Sequence, residues 1–213
     1  MKIGIIGSGV VGQQLGIGFA KLGHDVKIGT RDTSKLTDWI KTVGGKGSAG
    51  SVLEAAQFGD ILVLATKWQG TEIVLQSLPV DSYNGKIIID VTNPLDSSQG
   101  GVPRLDATED LPGGLKVQNY LPEAKVVKAF NTISAYIMIN APREEGVPDL
   151  FIAGNDADAK KVVAGFATQW GWGSVIDLGD IKSSFWLETF AMLWIQFGFR
   201  NNNWTHAFKL LRK

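Results

Sequence analysis

"KIGIIGSGVVGQQLGIGFAKLGHDVKIGTRDTSK", residues 2–35, decides the fold. A short apolar run at 2 to 6 ends in Gly7, Gly9 and Gly12, a helical pattern fills 10 to 22, and a second apolar run covers 25 to 29. A strand, a GxGxxG turn, a helix and a second strand about 20 residues on form the setting in which this glycine spacing binds a dinucleotide. Each glycine has its own reason: a tight turn at Gly7, approach of a pyrophosphate to bare backbone at Gly9, and close helix-to-sheet packing at Gly12. The helix N-terminus then offers free N–H groups and the positive end of its dipole to the phosphates. Gly12, Gly16 and Ala20 recur four apart on one face. Interior glycine costs about 1 kcal/mol against alanine, so this stripe predicts a helix backbone lying very near the sheet.

The end of the second strand carries the cofactor preference. In NAD-binding chains an Asp or Glu there accepts hydrogen bonds from the adenosine ribose. Here the strand "DVKIG" runs into Thr30 and Arg31, with Ser34 and Lys35 following. A guanidinium grips a 2′-phosphate in bidentate fashion where a carboxylate would repel it. Lys35, four residues on, adds positive charge from the same side, and the Thr30 and Ser34 hydroxyls can donate. NADP is the expected cofactor. Asp32 is the competing carboxylate, which would favour NAD; its place ahead of a helical pattern reads instead as an N-terminal cap.

Outward from this stretch, apolar runs alternate with helical patterns. Strands are expected at 60 to 65, 86 to 90, 125 to 129, 149 to 153 and 174 to 177, and helices at 34 to 43, 51 to 58, 69 to 78, 156 to 170 and 184 to 199. Continuous apolar runs such as "DILVLAT" and "KIIIDVT" suit strands covered on both faces. The expected class is α/β: a Rossmann-type, doubly wound, mostly parallel sheet with a C-terminal helical segment. Residues 1–180 form the nucleotide-binding domain in this reading, and 181–213 the segment for the acceptor and for dimerisation. Pro94 to Gly114 reads as one long irregular segment after a strand end, where open α/β sheets bind ligands.

Composition excludes several classes. The 213 residues carry 21 Lys plus Arg against 21 Asp plus Glu, so no net field draws the chain to nucleic acid or an anionic membrane. The absence of cysteine removes disulfides, thiolate catalysis and thiolate metal centres, and two histidines make a histidine metal cluster a poor reading. No metal ligand and no catalytic side chain is nominated. The N-terminus lacks the apolar run of a signal peptide, which gives a cytoplasmic expectation. "FWLETFAMLWIQFGF", 185 to 199, falls short of the roughly 18 apolar residues of a membrane helix and contains Glu188 and Gln196. Trp186, Phe190, Trp194 and Phe197 recur on one face and Leu187, Ala191, Ile195 and Phe199 on another. A helix apolar nearly all round needs cover on both sides, and a second copy of the chain is the expected cover: a homodimer.

The segments "IGIIGSGVVGQQLGIGFAKLGHDVKIGTRDTSK", "DILVLATKWQG", "IIIDVTNPL", "VVKAFNTISA" and "WLETFAMLWIQFGF" together resemble the NADPH-dependent F420 oxidoreductase family, with the reductase domain of the STEAP metalloreductases a more distant cousin. The resemblance spans essentially the whole chain. It implies hydride transfer between NADP and the deazaflavin coenzyme F420. It places the pyrophosphate cradle on Ser8, Gly9, Val10 and Val11, the 2′-phosphate clamp on Thr30, Arg31 and Lys35, a cofactor-covering turn on Thr66 and Trp68, and strand ends flanking the nicotinamide at Asn93 and Ala129. Lys67 stands where the family often has proline, and Asn131 and Ser134 stand where the archaeal enzymes tend to have histidine and proline. These departures fall on the acceptor side. Asn131 can hydrogen-bond the nicotinamide amide or an acceptor carbonyl, or merely cap its strand, and Trp68 can line the cleft or belong to the core. Transfer to a flavin-like ring needs two rings held about 3 to 3.5 Å apart rather than a nucleophile. A redox sensor without turnover, and a reductase of ferric iron or an imine, are the alternatives.

Overall fold

β1 (Lys2–Ile6), α1 (Val10–Lys21) and β2 (Asp25–Gly29) form the expected opening unit. A 3-10 turn, Thr33–Leu36, leads into α2 (Thr37–Val43), and β3 (Gly47–Gly50), α3 (Val52–Phe58), β4 (Ile61–Leu64), α4 (Trp68–Gln76) and β5 (Ile87–Asp90) follow. The remainder is β6 (Leu95–Asp96), β7 (Arg104–Leu105), α5 (Gly113–Tyr120), β8 (Lys125–Lys128), β9 (Leu150–Gly154), α6 (Ala157–Gln169), β10 (Val175–Asp177) and α7 (Ser184–Asn201). The computed structural model describes residues 1–211; residues 212 and 213, the end of the expected C-terminal segment, lie outside them. No described helix is long and apolar enough to cross a membrane.

Eight strands form one sheet in the order β10-β9-β8-β5-β4-β1-β2-β3. All neighbours are parallel except β8 and β9. That reversal has a plain cause: a parallel return needs a crossover, usually a helix, and the chain between Lys128 and Leu150 makes turns only. Helices cover both faces, so successive strand residues point into two different cores. Val63, Ile89 and Val127 pack with Phe19, Trp39 and Phe166 from α1, α2 and α6. Leu62, Ile88 and Val126 pack with Ala56, Leu75 and Val117 from α3, α4 and α5. Full burial of each such side chain contributes about 1.5–3 kcal/mol, which accounts for the unbroken apolar strands.

Three expectations need correction. β3, "GSAG", was not anticipated, because its pairing with β2 is a matter of backbone register and its residues carry no apolar signal. The segment Pro94 to Gly114 is irregular over most of its length but not throughout: β6 and β7 pair antiparallel within it, and α5 begins at Gly113. The glycine stripe of α1 meets the strand-end turn only at Gly12, where an added Cβ would lie 2.1 Å from the Gly7 carbonyl oxygen. At Gly16 the space belongs to Trp39, whose ring an added Cβ would meet at 2.6 Å and whose indole N–H donates to the Gln13 carbonyl at 2.9 Å.

The apolar helix expected at 184 to 199 is α7. Its buried side holds Leu187, Ala191, Trp194, Ile195 and Gly198, against α5 and β9. Part of the cover comes from the chain itself: Trp204, His206 and Phe208 fold back on Trp194 and Phe190, with Phe208 and Phe190 rings 4.3 Å apart. Trp186, Leu193, Phe197 and Phe199 stay exposed.

Candidate functional site

Strand order reverses direction at β1, with β2 and β3 to one side and β4, β5 and the rest to the other. Such a switch point opens a crevice at the carboxyl ends of the strands, and the glycine turn sits in it. Gly7 has φ +122°, a conformation that suits glycine, and an added Cβ would lie 2.4 Å from the Ala65 carbonyl oxygen after β4. At Gly9 an added Cβ would meet nothing within 4 Å. Gly9 is thus bare backbone facing open space, which is what a pyrophosphate requires. The first helical bond of α1 runs from the Gln13 N–H to the Gly9 carbonyl at 3.0 Å, so the N–H groups of Val10, Val11 and Gly12 are left for a ligand. Gln13 Nε2 donates to the Ser8 carbonyl at 2.8 Å and steadies the turn.

Two adjoining lobes extend from this cradle and share Ala65, Thr66, Lys67 and Gln69. The first, about 590 Å³, is lined by Gly7, Ser8, Gly9, Thr30, Arg31 and Lys35 and floored by Val52, Ile73 and Val74. The Ser8 and Thr30 hydroxyls share a hydrogen bond of 2.9 Å. Asp32 caps the 3-10 turn: its carboxylate accepts from Ser34 Oγ at 2.6 Å and from Ser34 N at 3.1 Å. Those two bonds, side chain first, with Lys35 further off, hold the Asp32 carboxyl below its ordinary value. The cap expected of Asp32 is therefore present, and the same bonds spend the Ser34 hydroxyl, which does not line the lobe. Arg31 is exposed on the lobe, and Lys35 lies there too, 3.7 Å from Asp32.

The second lobe, about 520 Å³, is lined by Val11, Thr66, Trp68, Val91, Thr92 and Asn93, among others. Thr66 and Thr71 share a hydroxyl hydrogen bond of 2.7 Å. Trp68 is a wall of the lobe that also packs against the core: its indole N–H donates to Asp106 at 3.1 Å, and Lys116 lies 5.7 Å from its ring centroid. A further cavity of about 340 Å³ opens behind it. Ala129 contributes no surface; it is fully buried, and its N–H donates to the Asp90 carbonyl at 3.1 Å. Asn131 is also withdrawn, with its amide tied to Asn93 and to Leu187 of α7. Val10 is exposed at the helix start, and Gly12 is buried.

Sequence reasoning missed Gln69, which lines both lobes, and the apolar floor. Ile73 gives the available signal, an apolar side chain 72% exposed on a helix. It also missed a buried ion triad beneath the second lobe. Lys128 Nζ lies 3.0 Å from Asp90 and 3.1 Å from Glu188, and all three side chains are inaccessible. Glu188 accepts the N–H groups of Gly113 and Gly114 at 2.9 Å each and so caps α5, while Asp90 accepts from Thr92 N and Oγ1. Burial works against the Lys128 ammonium, but Asp90 and Glu188 outweigh it and hold the lysine above its ordinary value. Among the described residues no cluster of three or more His, Cys, Asp or Glu could hold a metal ion.

Known proteins resemble this chain. The family profile described as "NADP oxidoreductase coenzyme F420-dependent" matches residues 2–94. The F420-dependent NADP reductase of Methanocaldococcus jannaschii is 30% identical over 206 residues, covering 92% of this chain and 91% of that protein. The crystal structure of an Arthrobacter sp. FB24 protein, assigned by inference as an F420-dependent NADP reductase, superposes with a TM-score of 0.93 at 33% identity and covers 100% of both chains. The rat metalloreductase STEAP3 is 28% identical over 183 residues, 86% of this chain but 35% of that protein.

Proposed function

Because the chain belongs to the F420-dependent NADP reductase family, we propose that it is an NADP-dependent oxidoreductase that passes hydride between NADPH and a flavin-like acceptor, coenzyme F420 foremost. The observation that carries the cofactor is at the ribose end of the first lobe. Arg31 and Asp32 both line the lobe, and the Asp32 carboxylate is bonded to Ser34. One Asp32 oxygen is held by Ser34 and Lys35 lies 3.7 Å from the other, so a 2′-phosphate there meets two cations beside a carboxylate that is already engaged. Gly9 and the α1 N-terminus take the pyrophosphate, and Thr66, Trp68 and Asn93 bound the space left for the nicotinamide. NADPH bound in this groove supplies the hydride.

The protein's contribution is position and exclusion of water. Val11, Val91 and Trp68 give the second lobe apolar walls, and its extent favours a second ring beside the first. In this reading residues 1–180 hold the nucleotide, 181–213 contribute to the acceptor site and subunit contact, and the enzyme is cytoplasmic. Two copies pair through the outer face of α7, where Trp186, Leu193 and Phe197 are 55%, 56% and 43% exposed; exposed aromatic and aliphatic side chains in a row mark an interaction surface.

The test mixes purified protein with NADPH or NADH and, separately, a deazaflavin, a flavin and a ferric chelate, and follows loss of NADPH absorbance. Oxidation of NADPH by the deazaflavin, well above that of NADH, is expected. Oxidation only by ferric iron would move the acceptor to the metalloreductase side, and none by any acceptor would leave a nucleotide-binding sensor.

A further inference from the structure

Asn131 and Asn93 stand at the ends of β8 and β5 and hold each other by two hydrogen bonds. Asn93 Nδ2 donates to the Asn131 carbonyl at 2.8 Å, and Asn131 Nδ2 donates to Asn93 Oδ1 at 2.9 Å. The second hydrogen of Asn131 Nδ2 goes to the Leu187 carbonyl of α7 at 3.0 Å. A primary amide has two donor hydrogens, so the Asn131 nitrogen is fully spent. Its Oδ1 is buried without a partner, and the residue is 6% exposed. Phe130, just before it, has φ +59°, a left-handed backbone that is uncommon outside glycine, and is held between Trp170 and Trp172. A strained residue followed by an unsatisfied buried acceptor is a pattern found where geometry is fixed for function.

Asn93 is the member of the pair that faces the second lobe. Its amide retains one donor hydrogen and one acceptor lone pair after the two bonds to Asn131. Turning that amide over would set its oxygen against the Asn131 carbonyl and its nitrogen against the Asn131 Nδ2, and both bonds would be lost. We infer that Asn131 is a positioning residue that locks the Asn93 amide in one orientation, and that Asn93 reads a ring substituent offering both a carbonyl and an N–H, the edge of a carboxamide such as that of nicotinamide. The assignment rests on NADPH binding in this groove. It makes the Asn131 side chain a link from α7 to the lobe, not a contact to the ligand.

The test needs no acceptor. NADPH is titrated into wild type, Asn93→Ala, Asn131→Ala and the double variant, with affinity read by calorimetry and immobilisation of the nicotinamide by its fluorescence anisotropy. With the adenosine end anchored elsewhere, affinity should fall by no more than about tenfold, the loss of one or two neutral hydrogen bonds. Anisotropy of the bound nicotinamide should drop in both single variants, and the double variant should match Asn93→Ala, because Asn131 acts only through Asn93. An Asn131→Ala effect that persists undiminished in the Asn93→Ala background overturns the assignment. Should Asn131→Ala fail to fold, Asn93→Ala decides alone: unchanged anisotropy refutes it. Wild type that binds no NADPH removes both this inference and the function beneath it, whereas normal binding with unresponsive variants removes this inference only.

Discussion

Replacing Arg31 with alanine takes away a guanidinium at the first lobe, where the proposed 2′-phosphate would sit, and the structure sets how much should be lost. Thr30 Oγ1 is engaged with Ser8 at 2.9 Å, and Ser34 Oγ with Asp32 at 2.6 Å. Lys35 stands 3.7 Å from Asp32 and is partly neutralised by it. Arg31 is thus the main donor left for a 2′-phosphate. Hydrogen bonds to charged groups contribute about 1.5–3 kcal/mol, or about 10- to 150-fold in affinity, and an exposed residue belongs near the lower end. NADPH should therefore bind Arg31→Ala about tenfold more weakly by calorimetric titration, while NADH changes by less than about twofold, as expected of a surface substitution away from its contacts. Salt should narrow the wild-type preference, since the charges are exposed and the screening length is about 8 Å at physiological ionic strength. Asp32→Ala should cost about 1 kcal/mol of stability through its lost cap and leave the preference for NADPH in place. If NADPH and NADH weaken alike in Arg31→Ala, or Asp32→Ala abolishes NADH binding, the assignment of charge to phosphate is wrong.

Gly9→Ala and Gly12→Ala should separate binding from folding. The first should keep its melting temperature and lose dinucleotide affinity in a titration, because its Cβ enters open space where the proposed pyrophosphate would lie; the second, meeting the Gly7 carbonyl oxygen at 2.1 Å, should lose about 1–3 kcal/mol in urea unfolding. Lys128→Met leaves Asp90 and Glu188 buried without their cation and should cost about 3–5 kcal/mol by the same assay. In the wild type the raised Lys128 value means that this stabilisation is complete below the ordinary lysine value of 10.5 and is lost as pH rises through the higher folded value, so unfolding midpoints measured in alkaline buffers should fall there and not near neutrality. Leu193→Asp with Phe197→Asp on the outer face of α7 should yield a monomer in analytical ultracentrifugation while the melting curve of the protomer is kept; a wild type that sediments as a monomer at all concentrations would end the dimer proposal.

Legibility in the sequence followed the physics of each element. β1, α1 and β2 could be read because strand burial, glycine spacing and helical period all agree over residues 2–29. The Asp32 cap could be read because capping is local and needs only the next two residues. β3 could not, since "GSAG" is recruited by the edge of β2 and by the space Trp39 and Val43 leave beside Gly47. The hairpin of β6 and β7 is two residues a side, too short for any period. Glu188 could be read only as an interruption of an apolar helix, because its partners Lys128, Gly113 and Gly114 lie about 60 to 75 residues away in the chain. Asp90 and Lys128 do share a visible sign, a charge closing each of two apolar strands, which becomes a pair once the strands are laid side by side.

What the second lobe lacks bears on what can happen in it. Its lining residues include no carboxylate and no imidazole, and Lys67 is the one charged side chain among them. His24 packs beside Phe19 and Phe166, and His206 stacks on Trp194, both on other parts of the chain. Asp90 and Glu188 are inaccessible and committed to Lys128 and backbone N–H groups, and Asp106, beside the Trp68 wall, accepts the indole N–H. A reaction that needs a protein acid or base poised near neutrality finds no carboxylate and no imidazole among the side chains lining this lobe. Hydride transfer to a conjugated ring asks for none, because the ring spreads the incoming charge and solvent can settle the proton afterwards. Rate then depends on how well two rings are held face to face, which shifts the weight of specificity from reactive groups onto Trp68, Asn93 and the strand ends that fix them.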